Sequence, residues 1–196
     1  MLSFTTHRGT AVPLRRGSVD TDQIIPARYL KRVTRAGYGE GLFAEWRADP
    51  AFVLNDPRYA GASVLLVGPE FGIGSSREHA VWALLDYGFR AVVGSSFGDI
   101  FRVNAGKAGL LAAVVDEVDV HRMCDLVEQQ PDASFEVDLE HRTVTSDSVT
   151  VSFEIDDHTR RRLLQGVDEI GVAMTHEAEI SSYEGNRAVF LPRTIP

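Results

Sequence analysis

Gly68-Pro-Glu-Phe-Gly-Ile-Gly-Ser-Ser-Arg-Glu-His-Ala80 is the stretch from which the fold can be read. Ahead of it runs Ser63-Val-Leu-Leu-Val67, a continuous apolar run of the buried-strand type. Behind it, Val81-Trp-Ala-Leu-Leu-Asp-Tyr87 repeats apolar residues at helical spacing until Gly88. A strand, a glycine turn and a helix N-terminus in succession make a candidate anion site. Gly72 and Gly74 reach backbone conformations closed to other residues and let amide N–H groups approach a ligand. The positive end of the helix dipole lies behind them. Ser75, Ser76 and Arg77 stand at the same point, and Arg77 can grip a carboxylate with two parallel hydrogen bonds. The same letters also fit a structural device. Ser75 and Glu78 have the S-x-x-E spacing of a capping box, which predicts a helix from about residue 76 with Ser75 satisfying its first amides.

Outward from this turn the pattern is regular. Apolar runs at 91–96 and 110–115 alternate with helical segments at 98–107 and 119–129, and Pro131 follows the second. Such alternation predicts parallel βαβ units, whose ligands gather at the carboxyl ends of the strands. Beyond Pro131, residues 135–139, 143–145 and 149–155 switch to apolar–polar alternation, the mark of an antiparallel meander with one wet face. Upstream, residues 10–14 predict an edge strand, because Pro13 suits an edge. Asp20 or Thr21 can cap a short helix interrupted by Pro26. Residues 29–41 are basic and punctuated by glycines, so a mobile surface loop is expected there. A helical tail is expected over about 157–196. No linker or repeat divides the chain, so residues 1–196 are expected to form one α/β domain with a β-rich second layer.

Composition narrows the functions. With 20 Lys and Arg against 28 Asp and Glu the net charge is −8, which argues against nucleic acid or an acidic membrane as the main partner. The single cysteine, Cys124, allows neither an intrachain disulfide nor an iron–sulfur cluster held by this chain. Asp20 and Asp22 form a D-x-D pair without a further ligand at a supporting spacing, so no metal site is expected. The N-terminus lacks the apolar core of a signal peptide, and no apolar run approaches the roughly 20 residues of a membrane helix; a cytoplasmic protein is expected.

Three separated motifs carry a resemblance. Gly72-Ile-Gly-Ser-Ser-Arg-Glu-His79 resembles the G-x-G-S-S-R-E-H signature of the mobile swivel domain of the aconitase superfamily. Residues 19–30, VDTDQIIPARYL, look like the N-terminal signature of the isopropylmalate isomerase small subunits. Phe97-Gly-Asp-Ile-Phe-Arg-Val-Asn104 is similar to that family's F-x-D-I-F-x-x-N segment. The motifs stand in the family's order, and the resemblance covers nearly the whole chain. It implies a three-layer β/β/α swivel domain and a hydro-lyase that moves a hydroxyl between adjacent carbons of a hydroxy-diacid by dehydration and rehydration. It also implies a separate large subunit bearing a [4Fe–4S] cluster, because a swivel this short does not carry the cluster domain.

By that resemblance Ser75 matches the catalytic base, and Ser76 and Arg77 match the groups that hold substrate carboxylate oxygens. Thr21 and Asp22 fall at the substrate cleft. In the 29–37 loop, Leu30 or Val33 would suit the isopropyl group of isopropylmalate, whereas Lys31, Arg32 or Arg35 would seek the third carboxylate of a homoaconitate-like or citrate-like substrate. Homoaconitase and a citraconate or methylmalate hydratase are thus alternative members. Glu78 is read as a capping residue, His79 as structural, and Asn104 as a turn or cap residue. Ile73 stands where many relatives carry cysteine, and residues 105–109, AGKAG, depart from the commoner form; neither change removes a functional hydroxyl or charge. A stand-alone nucleotide-binding module is the non-enzymatic alternative. Neither a Walker lysine nor an acidic residue about 20 positions beyond the glycines supports it.

Overall fold

In this structure, a computed structural model that describes residues 1–31, 35–188 and 190–191, strand β1 (Thr6–Leu14) joins two kinds of sheet. Over residues 6–10 it pairs antiparallel with β7 (Ser134–Asp138), and over residues 11–14 it pairs parallel with β3 (Val64–Val67). Between them in the chain come β2 (Val19–Asp20), α1 (Thr21–Ile24), β4 (Phe71–Ile73), α2 (Glu78–Tyr87), β5 (Ala91–Gly94), α3 (Asp99–Ala108), β6 (Leu111–Val114) and α4 (Glu117–Gln129). After β7 follow β8 (Thr143–Ser146), β9 (Val149–Ser152), α5 (Asp157–Gln165), α6 (Glu169–Met174) and α7 (Glu177–Gly185).

The seven-stranded sheet has the order β6-β5-β3-β1-β7-β8-β9. Its β6-β5-β3-β1 part is parallel and carries α2 and α3 as crossovers; its β7-β8-β9 part is an antiparallel meander. The two ends of the sheet meet, since Glu154, just past β9, donates its N–H to the carbonyl of Val114 in β6 at 2.7 Å. The expected strand-on-strand layering is therefore produced by one curled sheet, with β1 common to both walls. Helix α4 packs on β1, β3, β5 and β9 and buries Val120, Met123, Cys124 and Val127. Each such apolar side chain stabilises the fold by about 1.5–3 kcal/mol when fully buried.

Pro13 does not mark an edge strand. β1 is interior, yet the proline interrupts no ladder. Thr10 and Leu14 turn their carbonyls to the β3 side, accepting from Ser63 and Gly68. Alternation along the strand then turns the Pro13 nitrogen to the other side, where β7 has already parted from β1. Of the tail, residues 157–185 carry α5, α6 and α7; Leu163 of α5 is buried, whereas α6 and α7 expose Ile170, Met174, Ile180 and Tyr183. Among the described residues no helix is long and apolar enough to cross a membrane. What positions the site is a separate two-stranded parallel sheet of β2 and β4, with Val19 opposite Phe71 and Asp20 opposite Ile73.

Candidate active site

The glycine turn is built by close backbone approach. Gly72 has φ +76°, and a Cβ there would lie 2.4 Å from Cγ of the Phe101 ring. Gly98 sits directly over it, with room for no Cβ because the Gly72 carbonyl oxygen would be 2.4 Å away. Phe71 accepts from the Gly98 N–H at 2.9 Å and donates its own N–H to the Ser96 carbonyl at 3.1 Å, which fastens residues 96–98 to the turn. Gly72 is thus buried within β4 and needed for packing. Of the two glycines of the expected nest only Gly74 is exposed, at φ +90° with Asp20 and Thr21 beside it.

The expected capping box at Ser75 and Glu78 does not form. Helix α2 begins at Glu78; its N-cap is Arg77, still extended at φ −132°, and no side chain caps it. The reason lies in β4, which pairs with β2 as far as Ile73 across a register shift between Phe71 and Ile73, so that residues 74–77 are spent on the turn. The capping box forms one motif earlier, in α1: Asp20 Oδ1 accepts from the Gln23 N–H at 2.8 Å, and Gln23 Oε1 accepts from the Asp20 N–H at 2.9 Å. As a result the Ser75 hydroxyl is free of capping duty. Ser75 and Ser76 are both exposed at the positive end of a ten-residue helix.

Sheet β2–β4 brings the two motifs into contact. Thr21, 2 % exposed, donates its hydroxyl hydrogen to the Ser75 carbonyl at 2.9 Å, and its Oγ1 lies 3.3 Å from Ser75 Oγ. Arg77 makes an ion pair with Asp22 through Nη1, which also donates to the Ile25 carbonyl at 3.4 Å. The Arg77 side chain is 17 % exposed and Asp22 54 %. Thr21, Asp22, Ser75 and Arg77 therefore form one cluster, and the Ile25 carbonyl belongs to it too. Neither spacing nor composition pointed to that carbonyl; only the fold does. Ser76 lies in the same turn and makes no side-chain hydrogen bond among the described residues.

His79 lies one turn into the structure behind the cluster. Its ring contacts Tyr38 (5.3 Å between centroids) and Trp82 (4.7 Å), and burial there pushes its pKa below the ordinary 6.5. The expected specificity loop is held at its far end. Tyr38 is buried and donates its N–H to Asp86 Oδ2 at 2.9 Å, while Gly39 packs on the α2 backbone. Residues 38–41 are thus not part of a mobile loop. Leu30 and Lys31 end a 3-10 turn (Ala27–Lys31) with Leu30 partly packed on the core, and the Arg35 guanidinium stacks over Trp82 at 5.0 Å. Arg32 and Val33 lie outside the described residues. Asn104, expected in a turn or cap, is instead buried within α3.

The donor set does not fit a resident iron–sulfur cluster. Cys124 is the single thiol, it is buried in α4, and burial pushes its pKa up to about 12. Among the described residues no three His, Cys, Asp or Glu side chains converge to hold a metal ion.

The aconitase C-terminal domain family matches residues 1–117, and the LeuD_N description of the LeuD family matches residues 122–157. A 3-isopropylmalate dehydratase small subunit of Corynebacterium jeikeium is 59% identical over 196 residues, spanning 100% of this chain and 99% of the relative. One of Kocuria rhizophila is 58% identical, spanning 100% and 98%. A crystal structure of 3-isopropylmalate dehydratase from Methanocaldococcus jannaschii superposes with a TM-score of 0.67 at 26% identity, covering 90% of this chain and 98% of that one.

Proposed function

The chain belongs to the 3-isopropylmalate dehydratase small subunits, hydro-lyases of the aconitase family, and from that premise we propose that it supplies the proton-moving and carboxylate-holding half of an active site completed by a large subunit. The reaction is the interconversion of 2- and 3-isopropylmalate through 2-isopropylmaleate, a step of leucine biosynthesis, and an iron–sulfur cluster held by the large subunit would supply the Lewis acid for the departing hydroxyl. Such a subunit acts in the cytoplasm.

The observation that carries this reading is the convergence of Ser75, Thr21, Arg77 and Asp22 at a helix N-terminus that no side chain caps. Ser75 Oγ removes the proton beside a substrate carboxylate. A serine hydroxyl is a weak acid, so its anion needs support. The dipole of α2 and the guanidinium of Arg77 favour negative charge at this turn. Thr21 adds a switch. Its hydrogen rests on the Ser75 carbonyl, 2.9 Å away, and can turn to Ser75 Oγ, 3.3 Å away, once that oxygen is charged.

Arg77 holds a substrate carboxylate. Its Nη1 is committed to Asp22 and Ile25, which fixes the plane of the guanidinium and leaves its other edge for two-pronged binding. Asp22, itself negative, acts through Arg77 and not on the substrate: it is a positioning residue. Ser76 offers a second hydroxyl to the same carboxylate. Leu30 supplies the apolar contact for the isopropyl group.

Reconstitution with the cognate large subunit tests the assignment. Turnover of 3-isopropylmalate should exceed that of citraconate and homoaconitate, and a preference for the tricarboxylate would overturn the choice of substrate.

A further inference from the structure

A cavity of about 240 Å³ opens between α2, α3, α5 and the start of α6, lined by Arg35, Glu78, Trp82, Asn104, Lys107 and Arg162. Arg162 and Asn104 are each 8 % exposed. Even so, Arg162 Nε, Arg162 Nη2 and Asn104 Nδ2 meet no hydrogen-bond partner among the described residues. Nε and Nη2 form the side edge of a guanidinium, the pair of parallel donors that fits two oxygens of a carboxylate or phosphate. A buried cation without a counter-charge is strongly unfavourable, and buried donors without acceptors add to that. The acids nearby do not fill the role. Glu78 is exposed, Asp168 also lines the cavity and accepts the Gly171 N–H of α6 through Oδ1 at 2.7 Å, and neither makes an ion pair with Arg162 among the described residues. The walls are preset, because α3 and α5 touch so closely that a Cβ on Gly106 would lie 2.5 Å from Thr159. None of Thr21, Asp22, Ser75 and Arg77 lines this cavity.

We propose that this cavity is a second oxyanion site, in which the side edge of Arg162 and the amide of Asn104 hold one carboxylate or phosphate group. The chemistry allows two sources, a free metabolite anion or an acidic side chain of the large subunit.

The test uses the full-length chain labelled with ¹⁵N, titrated with inorganic phosphate and separately with malonate at constant ionic strength in chloride, while the Arg162 Nε–H resonance is followed. A saturable shift is expected with both anions. Asn104→Asp places a carboxylate beside Arg162 and should weaken phosphate binding at least tenfold while raising the melting temperature. Arg162→Lys should weaken binding similarly without the rise. Repeating the titration on the assembled complex identifies the source: uptake that persists indicates a free anion, and uptake lost on assembly indicates a carboxylate of the partner. Absence of a saturable shift in the wild-type chain, or phosphate affinity unchanged in both variants, would overturn the proposal.

Discussion

At the scale of single residues the site depends on how its charges are oriented. Arg77 would be a loose cation on an exposed turn were it not tied through Nη1 to Asp22 and the Ile25 carbonyl. Asp22→Asn keeps the shape and removes the charge. In the reconstituted enzyme it should raise KM about tenfold, equivalent to about 1.4 kcal/mol, with kcat within about threefold, since the proton transfer proposed for Ser75 is untouched. A fall in kcat with unchanged KM would instead place Asp22 on the reacting atoms. His79 sets a pH limit on the same turn. Its burial against Tyr38 and Trp82 holds the pKa below 6.5, so the fold favours the neutral ring. That contribution is present in full above pH 6.5 and is lost as pH falls through the lowered value. Urea midpoints measured at pH 7 and pH 5 should therefore drop further in the wild type than in His79→Gln. His7, also held low by burial, titrates alike in both proteins.

At the scale of elements, the glycine turn separates two uses of one residue type. Gly72 has both a left-handed φ and a ring against it, whereas Gly74 has the φ but only ordinary van der Waals contact with Asp20 and Thr21. Gly72→Ala should cost about 3 kcal/mol or more, because strain and overpacking add; Gly74→Ala should cost about 1–2 kcal/mol. Equilibrium unfolding in urea measures both. The order of strands and helices was legible in the sequence because period alone distinguishes the buried parallel runs from the alternating meander. The start of α2 was not. Ser75 and Glu78 carry a good local cap signal, but pairing of β4 with β2, some 50 residues away in sequence, draws the chain past the point where that cap would form. Pro13 misled for a similar reason: the residue reads as an edge, and it stands at an edge only locally, where β7 leaves a strand that is otherwise interior. Long-range pairing decided both.

At the scale of the whole molecule, three stretches far apart in the chain form one surface. Strand β2 aligns residues 19–22 with the turn, Phe71 bridges to Phe97, and α2 presents its uncapped end between them. The motifs were legible singly; their contact was not, because hydrogen bonds such as Thr21 to Ser75 cross 54 positions. The relatives of this chain are named small subunits, which implies a large-subunit partner. The central claim is that Ser75 Oγ moves the proton while the rest of the site only binds and orients. Turnover of 3-isopropylmalate by Ser75→Ala, assembled with the large subunit to the same extent as the wild type, tests this most directly. General-base catalysis contributes about 10²–10⁴-fold, so kcat should fall by about that factor or more while substrate affinity stays within about tenfold; a variant that keeps a tenth or more of wild-type kcat would contradict the account.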